Sequence, residues 1–547
     1  MLILTFTRRA ARELKDRLAA ELGDPHAMDG AFCSTFHSVC FRILRQSGDA
    51  LGYIADKLSI ITPQESDALL EQVIRDLGLS KVSMKAARSA LEARYTGRTE
   101  PGDLNLRSIL DTYRRRLFDF NCLDFGSCLS EVNRLFREHP EILKAYRERI
   151  KFVFVDEVQD SDEVQFNLHD WFSPPAAFFA VGDRRQSIYN FRGARPDLMT
   201  SRHPDAEIID LRENFRSGTA IVDAANAVIA HNGDTLARPM LGILARQGKV
   251  TTLDGRTDDI LRFVRTLHDS HGFAWGDIAV LARSHRTLVT IEQRMAEARI
   301  PAYRVGKRFD VMETPEFRTL LAAAKLILNP TDNFAYFILS IGLGHTGIYS
   351  LVREQAARKH ISHWEARRFD TTLPPRHNVE MMVASIDGPE EMATLDAKVA
   401  FTNIALELFR DGDQRNAVRE AVRRAPVDTM EGLIEFFSMA NRDAENEDAG
   451  GDVVTLLTAH AAKGLEWPAV IVCELNEGGF PNSHAVRGGD EAIREERRLF
   501  YVAATRAKEV LGLHARMTPD DFGAGREIKP VSRFIGEATC QSQPVVA

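Results

Sequence analysis

An α/β fold with two parallel-sheet units is the class this sequence predicts. Short continuous apolar runs, FVFV at 152–155 and AFFAV at 177–181, read as strands buried on both faces. The pattern returns in DIAVLAR at 277–283 and VIVCEL at 470–475. Stretches of helical periodicity separate these runs, and strands alternating with helices build a parallel sheet.

Taken in order, residues 1–45 read as strand, helix, strand-like turn and helix. Met1 to Leu4 are all apolar, as in a buried strand. From residue 8 to 22, Ala10, Ala11, Leu14 and Leu18 recur every three to four positions and form one apolar stripe, with Thr7 as the expected N-cap. Residues 46–121 read as mostly helical with a Gly/Thr/Pro break at 95–102. After the two apolar runs, IIDL at 208–211 offers a third strand. A second helical segment at 336–449 ends in NRDAENEDAGGD (441–452), an acidic linker pattern, and the tail at 541–547 is expected to be disordered.

Composition narrows the partners. The net charge of −8 is not the footprint of a general basic DNA binder, but a local groove can be basic on an acidic protein. The six cysteines form no C-x-x-C pair, which favours a reduced, cytoplasmic setting. No signal-peptide pattern occurs, and no run approaches the ~18 apolar residues of a membrane span, so no membrane partner is expected.

The densest chemistry is in FVFVDEVQD, 152–160. Asp156 and Glu157 stand at the end of a buried strand, where open α/β sheets bind ligands. An aspartate there can hold Mg²⁺, and the adjacent glutamate can polarise a water. A lone Asp-Glu pair is more often a solvated loop, so the neighbours decide. VGDRRQSIYNFRGARPD (181–197) adds Gln186 and interleaves Tyr189 and Phe191 with Arg192, which suits unpaired bases and phosphates. LRENFRS (211–217) sets Phe215 beside Arg216. LLTAHAAKGLEWPAVIV (456–472) holds His460, Lys463, Gly464 and Glu466 before a strand. In EERRLFYVAATRAKEVL (495–511), helical periodicity explains Leu499, Val502 and Ala503 but not Arg506.

The order and wording of these stretches resemble the UvrD/Rep-type superfamily 1 DNA helicases. TFTRRAARELKDRL resembles motif Ia, and STFHSVCFRILR motif Ib. VDEVQD resembles motif II, GDRRQSIYNFRGA motif III and LRENFRS motif IV. TAHAAKGLEW and VAATRAK resemble motifs V and VI. Seven motifs in the right order make a chance match very improbable.

The resemblance implies two RecA-like parallel-sheet motor domains, the first N-terminally incomplete, each with a mostly helical insertion. The first motor is expected at 1–45 and 122–212 with its insertion at 46–121; the second at 213–335 and 450–547 with its insertion at 336–449. The activity implied is ATP-dependent 3′→5′ movement on single-stranded DNA, with Mg²⁺ as the cation, at single-strand/duplex junctions and alongside repair or replication proteins. By the same resemblance, Asp156 binds Mg²⁺, Glu157 positions the attacking water, and Gln186 senses the γ-phosphate. Arg216 and Arg506 are arginine fingers, typically worth ~10³–10⁵ in rate. Phe215 stacks on adenine where Tyr is more usual, Gly464 lies at the nucleotide, and Glu466 meets the ribose. Phe6, Thr35, His37, Tyr189, Phe191, Arg192 and His460 line the strand track, with Phe191 in the usual place of Trp. The second insertion is shorter than the family pattern.

A phosphate-cradling G-x-x-x-x-G-K-[ST] precedes motif Ia in such helicases, yet no such motif occurs in these 547 residues. A start later than the true one, a segment supplied by another chain, and a degenerate, non-catalytic DNA-binding or scaffold protein are the three readings. The first is preferred, because Asp156, Glu157, Gln186, Arg216 and Arg506 have no structural reason to persist together in a dead motor. The 547 residues alone should therefore show negligible DNA-stimulated ATP hydrolysis and a weakly stable first motor. A coupled phosphate-release assay checks this, and turnover at an ordinary helicase rate would contradict it.

Overall fold

A computed structural model describes residues 1–6, 8–24, 26, 30–98, 102–173, 177–233, 238–305, 311–312, 314–386, 396–443, 451–516 and 529–539. Thr7, most of the acidic linker, the 99–101 part of the expected break and the tail lie outside the described residues, as do the side chains of Arg8 and Arg9. The chain divides into two compact units. One comprises 1–154, 163–179 and 307–444; the other comprises 155–162, 180–306 and 445–547.

The first unit is built on strands β1 (Leu2–Thr5), β2 (Phe32–Thr35), β3 (Phe152–Val155) and β4 (Ala177–Ala180), in the order β2-β1-β3-β4. β1 and β2 run parallel, with Thr5 opposite Thr35. The expected first helix is present at Arg8–Leu22. Leu2, Ile3 and Leu4 are buried, as an all-apolar strand requires.

A larger core lies among helices. Pro63–Asp76, Met84–Tyr95 and Leu104–Asp119 pack in one apolar cluster with Pro315–Leu328, Asn333–Gly342 and the helices up to Met430–Asp443. The last of these helices takes in residues 441–443, which the sequence suggested as linker. Phe120 lies against Phe334 and Phe337 at ring distances of 5.3 and 5.6 Å. Buried ion pairs sit among these helices, among them Lys325 Nζ to Glu65 Oε1 at 2.7 Å and Arg367 Nε to Glu380 Oε1 at 2.8 Å. Glu65 also closes a capping box: its Oε2 accepts from Thr62 N at 2.7 Å while Thr62 Oγ1 accepts from Glu65 N. One carboxylate thus starts a helix and neutralises a buried ammonium.

The second unit holds β5 (Lys249–Asp254), β6 (Ile278–Ala282), β7 (Ala302–Arg304), β8 (Val454–Thr458), β9 (Trp467–Val472) and β10 (Ala507–Ala515). Their order is β7-β8-β6-β9-β10-β5, parallel throughout. Alternate residues feed two apolar layers: Ala279 and Leu281 of β6 enter one, Ile278, Val280 and Ala282 the other. Continuous apolar runs are what a sheet covered on both faces needs.

IIDL at 208–211 is not a strand. Ile208 and Leu211 are 75% and 87% exposed, and the segment has no regular structure. An apolar run becomes a strand only where a neighbour pairs its N–H and C=O groups, and local sequence does not encode that neighbour.

Removing one partner of a buried pair strands the other charge. Lys325→Met should lower stability by roughly 3–5 kcal/mol, and Glu65→Leu with Lys325→Met should recover much of it. Urea unfolding followed by circular dichroism measures both.

Candidate nucleotide and single-strand site

Just past β3, Val181 N donates to Val155 O at 2.8 Å and Val158 N to Val181 O at 3.0 Å, all three residues lying in the second unit. This fixes the turn that bears the carboxylates. Asp156 Oδ1 accepts from Glu157 N at 3.0 Å. Burial, then the Glu157 charge, raises the Asp156 carboxyl, partly offset by that hydrogen bond and by Lys463. Glu157 sits at φ 54°, ψ 38°, a left-handed conformation uncommon for a non-glycine residue.

Gln159, fully buried, holds this turn from behind. Its amide donates to Glu157 Oε2, its Oε1 accepts from Asp183 N at 3.0 Å, and its backbone oxygen accepts from Ser187 Oγ at 3.0 Å. Asp160 is buried and ion-paired to Lys463. Desolvation pushes its carboxyl up to about 7 although the ammonium pulls the other way. Lys463 Nζ also lies 3.1 Å from Glu157 Oε2 and donates to Gln186 O at 3.1 Å. Gln186 Nε2 donates to Asp183 Oδ2 at 3.0 Å.

Arg506 is 2% exposed. Its guanidinium donates to Val502 O at 2.9 Å, Leu465 O at 3.3 Å and Thr505 Oγ1 at 3.0 Å. Burial, followed by repulsion from Arg216, brings it down to about 10 against the pull of Glu157, Tyr501 and Glu466. Arg216 pairs with Glu466, which also binds Lys508 at 2.7 Å. Burial raises the Glu466 carboxyl, but Lys508 and Arg216 outweigh it and hold it below its ordinary value. Phe215 presents its ring to solvent, 69% exposed. Gly464 takes φ +80°, where a side chain would be strained.

Four strand-track candidates meet in this unit. Tyr189 and Phe191 rings are 6.1 Å apart, and His460 stands edge-on to Phe191 at 5.8 Å. The Arg192 guanidinium lies 5.4 and 5.6 Å from the Tyr189 and Phe191 rings. Phe191 is half exposed. Burial, reinforced by Arg283 and Arg192, drives the His460 imidazole down to about 3, so it is neutral at pH 7. Phe6, Thr35 and His37 belong to the first unit, with Phe6 immediately after β1 and Thr35 at the end of the neighbouring β2. Thr35 caps the helix Phe36–Ser47, accepting from Ser38 N at 3.3 Å, and His37 packs edge-on to Phe125 at 5.6 Å.

Gln159, Asp160 and Lys463 are the residues that sequence reading did not assign. The signal was present in the quoted VDEVQD and TAHAAKGLEW, but their partnership spans about 300 positions and only folding reveals it.

Parallel sheets with charged groups gathered around a strand-end carboxylate pair define an α/β nucleotide-handling protein. The chain belongs to the UvrD/REP helicase family. Residues 1–207 match the UvrD/REP helicase N-terminal domain, and residues 209–346 and 401–516 match the UvrD-like helicase C-terminal domain. It is similar to the ATP-dependent DNA helicase PcrA of Leuconostoc citreum, at 29% identity over 98% of this chain and 78% of the relative. The ATP-dependent DNA helicase UvrD1 of Mycobacterium bovis is also 29% identical, and PcrA of Bacillus subtilis 27%, each over 98% of this chain and 78% or 79% of the relative. By family, then, it is a DNA helicase and ATPase.

His460 and His363, whose burial lowers it to about 4, are both held neutral by the fold. Their folded values lie below the ordinary ~6.5, so the unfolded chain takes up protons first as pH falls. Their contribution is fully present above the ordinary value and is lost progressively toward pH about 4 and about 3. Thermal unfolding between pH 8 and 4 should show the midpoint falling on the acid side, and less steeply in His460→Gln.

Proposed function

We propose that this chain is the body of an ATP-driven motor that translocates 3′→5′ on single-stranded DNA and acts at single-strand/duplex junctions. The observation that supports this best is the joining of a carboxylate turn, a γ-phosphate-sensing amide and an aromatic–arginine track within one unit. Family membership favours this catalytic reading over a non-catalytic scaffold. Its setting is cytoplasmic, alongside repair or replication proteins.

In this reading the motor domains are 1–45 with 122–212 and 213–335 with 450–547, the insertions 46–121 and 336–449. Asp156 offers the oxygen donors that Mg²⁺ prefers, and the cation would neutralise charge on the phosphates. Glu157, held by Gln159, orients the attacking water and takes up its proton. Gln186 senses the γ-phosphate. Arg216 and Arg506 meet charge developing on the phosphates, and nucleotide binding replaces the Arg216–Glu466 contact by pairing Glu466 with the ribose. Phe215 stacks on adenine, and Gly464 lets the backbone approach the nucleotide. Tyr189, Phe191, Arg192 and His460, with Phe6, Thr35 and His37, receive the strand.

Turnover requires a phosphate cradle in addition to these groups, whereas oligonucleotide binding does not. Binding is therefore the primary test. A fluorescein-labelled dT oligonucleotide should bind by anisotropy, and Tyr189→Ala with Phe191→Ala should weaken it by roughly 1–3 kcal/mol per lost stack. Unchanged affinity would remove the track. Wherever ATP turnover is present, a 3′→5′ motor strips streptavidin from a 5′-biotinylated strand and not from a 3′-biotinylated one.

A further inference from the structure

We propose that Lys508 is a positioning residue of the nucleotide site, one that holds the Glu466 carboxylate ready for the ribose hydroxyls and so sets a preference for ribonucleotides. This rests on the function proposed above and adds a residue to it.

Glu466 stands just before β9 and Lys508 is the second residue of β10, and the two strands pair with Trp467 opposite Ala507. The amino ends of neighbouring strands thus set one carboxylate beside one ammonium, Lys508 Nζ to Glu466 Oε1 at 2.7 Å. The other carboxylate oxygen, Oε2, accepts from Arg216 Nε. The backbone keeps both cations within reach. Gly218 N donates to Lys508 O at 2.8 Å, and Ser217 Oγ donates to Ala507 O at 2.7 Å. Arg246 braces the same segment, donating to Arg216 O at 2.6 Å while pairing with Glu509 at 2.8 Å. Arg216, Glu466 and Lys508 are all partly exposed, so a ligand can reach them.

A carboxylate shared by two cations can release one and stay ionised. When Arg216 turns to phosphate, Oε2 is left open as an acceptor while Lys508 still holds Oε1. Against burial, which raises it, Lys508 and then Arg216 keep the Glu466 carboxyl below its ordinary value. An ionised carboxylate only accepts, which is the state that suits ribose O–H donors. Without Lys508 the carboxylate would close on Arg216 through both oxygens. That withholds the arginine from phosphate and the carboxylate from the ribose together.

The test is equilibrium dialysis of the full chain against radiolabelled ATP and 2′,3′-dideoxy-ATP, which differ only in the ribose hydroxyls. Wild type should bind ATP about ten-fold more tightly, the low end for hydrogen bonds to a charged group because the site is partly exposed. Lys508→Met should bring the two nucleotides within about two-fold of each other. Lys508→Arg, which keeps a cation beside Oε1, should restore most of the preference. A merely structural role weakens both nucleotides by one factor and leaves their ratio alone, so an unchanged ratio in Lys508→Met overturns the proposal. Circular dichroism checks that the fold is kept, and Lys508→Gln takes the place of Lys508→Met if that spectrum changes. A wild-type chain that binds both nucleotides equally sinks the role of Lys508 alone; one that binds neither sinks the nucleotide reading and Lys508 with it.

Discussion

Three carboxylates crowded into one short turn set the terms for this structure. Asp156, Glu157 and Asp160 fall within five residues, and Asp160 is buried. Burying like charges together is prohibitive unless they are protonated, hydrogen-bonded or paired. The fold uses all three remedies. Asp160 is pushed up to about 7, Glu157 accepts from the Gln159 amide, and a single ammonium reaches both Asp160 and Glu157. That ammonium comes from the segment after β8, so the turn cannot settle without the second sheet's connections.

The same economy governs the arginines. Among the described residues no carboxylate pairs with the buried Arg506, and its guanidinium is met by Val502 O, Leu465 O and Thr505 Oγ1. These acceptors fix the guanidinium in place rather than neutralise it. Trp467 N donates to Arg506 O at 3.0 Å, so the residue after Glu466 is tied to Arg506 itself. Arg216, by contrast, holds a half-exposed carboxylate that solvent or a ligand can replace. One arginine is fixed by geometry, and the other is exchangeable.

Strands β6 and β9 were legible as apolar runs because a doubly covered sheet leaves no room for polar alternation, whereas the runs at β3 and β4 are not buried on both faces, Phe152 and Phe179 being about half exposed. The carboxylate pair, Arg506 and the aromatic–arginine stretch stood out because secondary-structure periodicity did not require them. IIDL misled, since its composition is that of a strand while its pairing is decided elsewhere in the chain. Gln159 and Lys463 were hidden for a related reason. Their importance is a matter of which atoms they face, and Lys463 meets Asp160 across 303 positions. Nor could periodicity show that helices before residue 122 share a core with those after residue 311.

The proposed aromatic track would let an acidic chain present a nucleic-acid surface. With a net charge of −8, long-range attraction to phosphate is not available from the molecule as a whole. On the proposed reading affinity would come from close range, where Tyr189 and Phe191 would offer faces to bases and Arg192 lies over both rings. The neutral state of His460 fits this economy. A protonated imidazole beside Arg192 and Arg283 would add repulsion inside a buried cluster, so the fold keeps the ring uncharged and leaves the positive charge on arginines that cannot lose it. Stacking is indifferent to base identity, and a motor that steps along any sequence needs that indifference.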